Sequence, residues 1–357
     1  MPSSFRRRML VGSYAPADEP GLSAFAVDDS APALQLDWTV GGIWNPSYLA
    51  VDPAREHLFA VSETGLRSDG APGGVHSYRI EREEGLFGLV PLNQRSTGGD
   101  HPCHLSIDAG GSWLAVSNYG SGDVAVFPIE PDGGLGEMAA AVRHAGSGPR
   151  ADRQEGPHAH SAIFAADGRF MLVADLGIDQ IAIYGFDAGD GSLVRHGGVA
   201  TAPGAGPRHM AFHPDGNHLM VVNELDSSVT LYRYDAGAGS LSELQTLFTV
   251  PTHVGVNTAA DIQVSRLGTH AYVSNRGHNS VAVFAFDPEQ GLNRTAVRSS
   301  GGEWPRGLGL APGGRHLVAA NRRSNEVVVL PLLAGGSDIG EPVARAGVLQ
   351  PSCVAFV

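Results

Sequence analysis

Apolar runs of about six residues, separated by short polar turns, recur along the chain in groups. Each group opens with a half-apolar run, as in Pro207-Arg208-His209-Met210-Ala211-Phe212, and turns through residues such as Pro214-Asp215-Gly216-Asn217. A second, almost wholly apolar run follows and ends at Asn or an acid. A short turn then leads to a third run of alternating character, as in Val124-Ala125-Val126-Phe127 and Val281-Ala282-Val283-Phe284. A Gly-rich turn and a less regular fourth run close the group. This punctuation by Gly, Asp and Asn predicts an all-β chain, with helical periodicity nearly absent.

The group repeats. Copies begin at Pro46, Pro102, His158, Pro207, Ala259, Pro305 and Pro351, with start-to-start spacings of 56, 56, 49, 52, 46 and 46 residues. Units of this length with four antiparallel strands read as propeller blades. The copy at Pro351 has only a first strand. Its missing strands stand at the other end of the chain, at residues 9–13, 22–27 and roughly 33–40. The expectation is a seven-bladed β-propeller whose ring is closed by the C-terminal strand pairing with the N-terminal strands, which leaves no open sheet edge there. No composition shift or linker divides residues 1–357, so one domain is expected.

Charge and cysteine content narrow the function classes. The formal net charge of −13 argues against nucleic-acid and anionic-membrane partners. Arg6-Arg7-Arg8 precedes only a short apolar strand, too little for a signal peptide or anchor. Cys103 and Cys353 fall in blades that are not neighbours. No disulfide is expected, both read as buried small residues, and a cytoplasmic location is the default. The oligomeric state is left open.

In a propeller the first strand of each blade lines a central channel, and the turn after the second strand sits at one mouth. The third position of the first strand reads Tyr48, His104, His160, His209, Asp261, Gly307 and Cys353. The second strand ends at Glu63, Asn118, Asp175, Asn223, Asn275 and Asn321, where Asn and Asp suit a turn role. The next residue varies and is often charged: Tyr119, Leu176, Glu224, Arg276, Arg322. Different charged groups around one mouth of a repeating scaffold mark a candidate site. Arg208 and Arg306 follow a Pro in equivalent places and either bind something anionic or pair with Glu63, Asp175 or Glu224. His158 and His160 share a strand face and are either satisfied turn-and-core histidines or a pair for acid–base work, with metal ligation a lesser alternative. The insert at residues 148–157 carries Arg150 and Arg153 and precedes His158.

The stretches Arg153-Gln154-Glu155-Gly156-Pro157-His158-Ala159-His160, Ala174-Asp175-Leu176-Gly177-Ile178-Asp179, Gly206-Pro207-Arg208-His209, Asn223-Glu224-Leu225 and Ser274-Asn275-Arg276-Gly277 form a specific combination. With Asn45-Pro46-Ser47-Tyr48 and Ser117-Asn118-Tyr119-Gly120, they make the whole chain resemble the bacterial lactonase family of seven-bladed propellers. That family holds cycloisomerase-type 6-phosphogluconolactonases and fungal 3-carboxy-cis,cis-muconate lactonising enzymes. The resemblance implies a catalytic set of His160, Arg208, Glu224 and Arg276. It implies hydrolysis of a sugar lactone, first 6-phosphogluconolactone, which belongs to carbohydrate metabolism and the pentose phosphate pathway.

Within this set Glu224 is the better candidate base and His160 the acid, with the two roles exchangeable, while the arginines hold an oxyanion and a carboxylate or phosphate. His104, Asn118, Tyr119, Arg153, His158, Asp175, His209 and Arg306 are expected to bind substrate. No cofactor or metal is expected, and the partner is a small-molecule lactone. Three other readings stand beside this one. The first is a lactonising enzyme acting on an unsaturated dicarboxylate. The second is a divalent-metal lactonase using Glu63, Asn118, Asp175 and Asn223. The third is a protein-interaction propeller, which would show apolar patches on its blade faces.

Overall fold

The computed structural model describes residues 7–27, 33–66, 70–83, 86–251 and 255–357; Arg6 of the basic triplet lies outside them. The described strands form seven antiparallel sheets. One typical sheet runs through Pro207–Phe212, His218–Asn223, Ser228–Asp235 and Ser240–Phe248 in chain order. The first strand of each sheet touches the first strands of both neighbouring sheets, all the way round, which makes the ring and its channel. Closure is as expected: Pro351–Phe356 pairs with Arg7–Ser13, with Met9 opposite Phe356 and Val11 opposite Val354, and Leu22–Val27 and Leu34–Val40 complete that sheet.

Hydrophobic patterning follows from this stacking. The second strand of a blade is covered on both faces, so Trp113–Asn118, Phe170–Asp175 and His218–Asn223 are buried at every position. The outer strand is covered on one face only, and Leu193–Ala200 and Ser240–Phe248 alternate accordingly. The core is a set of wedges between blades rather than one central mass. Leu172, Ile181 and Ile183 of one blade, for example, pack on Met210, Leu219 and Tyr232 of the next.

A recurring irregularity places the functional side chains. Where the first strands of most blades begin, the register against the second strand slips, by one residue between Pro102 and His104, Ala159 and Ser161, Pro207 and His209, and Pro305 and Gly307. The residues at these bulges are Cys103, His160, Arg208 and Arg306. Ser352 holds the same place in the closing sheet, and Ala260–Asp261 in a wider version. A β-bulge leaves one residue out of the ladder and re-aims its side chain.

This register corrects the sequence alignment at two points. His160 belongs with Arg208 and Arg306, not with His104 and His209, whose column it leaves to Ser161. The slip arose because Pro157 lies two residues before Ala159, whereas the other prolines occupy the first ladder position itself. Glu63, with Leu49 opposite Ala60, follows its second strand rather than ending it. It therefore shares a ring with Tyr119, Leu176, Glu224, Arg276 and Arg322. Tyr14, after Arg7–Ser13, completes that ring.

Candidate active site

The bulged residues of the first strands meet the residues that follow the second strands at one mouth of the channel. Glu224 is the centre of the meeting and is 4% exposed. Its Oε1 accepts from Nη2 of Arg153 at 2.6 Å. Its Oε2 faces Nε of Arg208 at 3.0 Å and Nη2 of Arg276 at 2.7 Å. Arg208, 2% exposed, also donates from Nη1 to the carbonyl of Ala260 at 2.5 Å, and Arg276 from Nη2 to that of Ala259 at 3.0 Å. Arg276 keeps one buried N–H, at Nε, without a partner among the described residues.

The electrostatics follow. Burial alone raises the carboxyl of Glu224, but Arg276, Arg208 and Arg153 outweigh it and hold the group well below the usual carboxylate range. Glu224 is thus a firmly ionised clamp and a poor proton acceptor, which counts against the base role expected for it. For Arg208 the ion-pair alternative holds, with Glu224 as the partner. Burial first, then Arg276 and Arg306, lower the Arg208 guanidinium to about 10, so it remains charged at neutral pH.

His160 is buried beside this clamp. Its Nδ1 is 3.6 Å from Sγ of Cys103, its ring meets those of Tyr119 and His209 edge-on, and its Nε2 takes no protein partner among the described residues. Burial, then Arg208 and His209, push it well below 6.5, so it is a neutral imidazole at physiological pH. Burial pushes the Cys103 thiol up, which removes it as a nucleophile.

Below lies a layer of His104, His209 and Tyr48, with ring centroids 4.5–5.7 Å apart. The carboxylate of Asp261 accepts from Nδ1 of His209 at 2.8 Å, which leaves Nε2 as a buried acceptor with no partner among the described residues. Burial, then Arg208, lower His209 to about 4 despite Asp261. A cavity of about 60 Å³, lined in part by Tyr48, Cys103, Arg208, His209 and Arg306, has room for ordered water here.

The expected substrate-binding residues divide. Tyr119, Arg153, His158, His104, His209 and Arg306 lie at or just under the mouth. Tyr119 stacks on His158 at 4.4 Å and accepts from Arg153 at 3.4 Å, so the insert is tied to the site. Asn118 and Asp175 do not join them. Asn118 donates to Asp123 at 2.8 Å inside its own blade. Asp175 is saturated by His144 at 2.6 Å and by the backbone N–H groups of His158 and Gly177. Asn223 donates to Ser228 and Thr230. Of the four residues considered for a divalent ion, Asp175 is fully engaged and Glu63 accepts from two hydroxyls, whereas Asn118 and Asn223 use only their Nδ2 groups and keep Oδ1 buried without a partner among the described residues.

Sequence reasoning missed a second acidic pole. Oε2 of Glu63 accepts from Tyr14 at 2.7 Å and from Ser47, and the guanidiniums of Arg306 and Arg322 lie 5.0 and 4.0 Å from the ring centre of Tyr14. The signal was present in the repeat, since Tyr14 and Glu63 follow their second strands as Glu224 does.

Residues 8–356 match the family described as Lactonase, 7-bladed beta-propeller. The chain belongs to this lactonase family. It is 34% identical to the 6-phosphogluconolactonase of Bacillus subtilis over 97% of both chains. It is 30% identical to that of Formosa agariphila over 90% of this chain and 91% of that one. The solved periplasmic gluconolactonase of Pseudomonas aeruginosa superposes with a TM-score of 0.91 and 30% identity, covering 98% of this chain and 99% of the other.

Proposed function

We propose that this lactonase hydrolyses the ring ester of a sugar lactone, 6-phosphogluconolactone first among them, at the mouth formed by His160, Arg208, Glu224 and Arg276. The observation that carries the reading is a neutral, buried imidazole beside a carboxylate that holds three guanidiniums in place. His160 takes a proton from water through Nε2, and the resulting hydroxide adds to the lactone carbonyl. Arg276, with its unpartnered Nε–H, stabilises the oxyanion. The C–O ring bond then breaks, and the imidazolium returns the proton to the leaving alkoxide. Glu224 acts by positioning the arginines. The names of the relatives support the substrate class.

The test is hydrolysis of freshly generated 6-phosphogluconolactone and of gluconolactone, corrected for spontaneous opening. The wild type should exceed background by several orders of magnitude, and His160→Gln should lose at least about 10²-fold in kcat. Rates at background on both lactones, with turnover of a carboxymuconate, would replace hydrolysis by the lactonising reaction. Two unpaired, buried cysteines support a cytoplasmic location. Among the described residues no helix is long and apolar enough to cross a membrane. Cell fractionation tests the placement, since one relative is named periplasmic.

A further inference from the structure

Beside the mouth, an open groove of about 450 Å³ is lined by Trp304, Arg322, Arg323, Asn325, Leu349 and Gln350. Two aromatic rings shelve its arginines. Arg323 lies 3.5 Å from the ring centre of Trp304, and Arg322 lies 4.0 Å from that of Tyr14. The same rings also carry arginines of the mouth, with Arg276 5.9 Å from Trp304 and Arg306 5.0 Å from Tyr14. Groove and mouth are therefore neighbours, and two guanidiniums that share one ring lie within about a nanometre of each other.

The guanidiniums of the groove have no direct carboxylate partner. Among the described residues neither Arg322 nor Arg323 forms a salt bridge. Arg322 donates from Nε to the neutral Gln350 at 3.1 Å, and the exposed carboxylate of Glu303 pairs with neither. Arg276, by contrast, pairs with Glu224 at 2.7 Å, while Glu63 acts on Arg306 and Arg322 from a distance. Trp304 also occupies the left-handed region with φ 63°, a position that costs a bulky residue on the order of 1–3 kcal/mol. Stacked guanidiniums without a carboxylate partner are prearranged for a second, doubly charged anion.

We infer that this groove binds the phosphate monoester of the substrate, with the lactone ring reaching from it to His160. This deepens the hydrolytic reading and rests on it. It separates a phosphorylated lactone from a plain one by contacts remote from the reacting carbon.

The experiment compares wild type with Arg322→Ala/Arg323→Ala and with Arg322→Lys/Arg323→Lys, on 6-phosphogluconolactone and gluconolactone. Expected is a rise in KM of about tenfold or more for the phosphorylated lactone in the alanine variant, with a smaller rise in the lysine variant. The kinetics of gluconolactone and the thermal unfolding should stay unchanged. Equal effects on both lactones, or none on either, would overturn the groove assignment while leaving hydrolysis intact. If the wild type opens neither lactone, the hydrolytic reading fails on its own. Calorimetric titration with the product 6-phosphogluconate then decides the groove. Binding lost in the alanine variant supports it, and absent binding or binding equal in both proteins refutes it.

Discussion

At the scale of single residues, the site is governed by which groups can hold a proton. Glu224 is buried yet stays ionised because three guanidiniums surround it. Removing its charge leaves Arg208 buried without its counter-ion, a change that ordinarily costs about 3–5 kcal/mol. Glu224→Gln should therefore lower thermal stability as well as kcat, measured by calorimetry and initial rates. A loss of kcat with unchanged stability would return the base role to Glu224. His160 supplies the pH dependence. In the proposed reaction it works as a base when neutral, and burial with Arg208 depresses its pKa, so kcat should stay flat through pH 6.5 and fall only at lower pH. A pH–rate profile with a midpoint at 6.5 or above would contradict this.

At the scale of the strand, the working unit is the bulge and the residue that precedes it. Gly206 is in the left-handed region with φ 66°, and a Cβ there would meet Cγ of Leu225 at 2.6 Å. Its carbonyl accepts the backbone N–H of Glu224 at 2.7 Å, and Arg208 is the bulged residue two positions on. Gly206→Ala should cost about 1–3 kcal/mol in urea unfolding and also reduce kcat, since clamp and bulge move together. Strand order, blade count and the charged ring were legible in the sequence because a repeat shows its own alignment. The bulge was not, because a single residue out of register leaves the hydrophobic pattern of the following strand intact. Hence His160 was placed one column away, and Glu63 was read as a strand end. Partner choice was hidden for another reason. That Arg153 reaches Glu224 across 71 positions depends on where an insert folds back, which no periodicity encodes.

At the scale of the whole molecule, two properties belong to the ring rather than to any blade. One is acid sensitivity. His104, His160 and His209 are all depressed below 6.5 by burial first and by neighbouring charge second. Protonation then favours the unfolded chain, so their stability is fully present above about pH 6.5 and is lost as pH falls toward the folded values, about 4 for His209. Equilibrium unfolding between pH 7.5 and 4.5 should show this decline, and His209→Gln should soften it. The other is closure. Without residues 351–357 the strand Arg7–Ser13 loses its inner partner, and a protein cut at 350 should fail to melt cooperatively.

Closure also sets an order of assembly. Tyr14 is among the earliest described residues to emerge during synthesis. It can take up its place against Glu63, Arg306 and Arg322 only when Pro351–Phe356 has been made and has captured its blade. A chain that has not yet made Pro351–Phe356 thus carries every residue of the Glu224 clamp but not the completed blade that seats Tyr14.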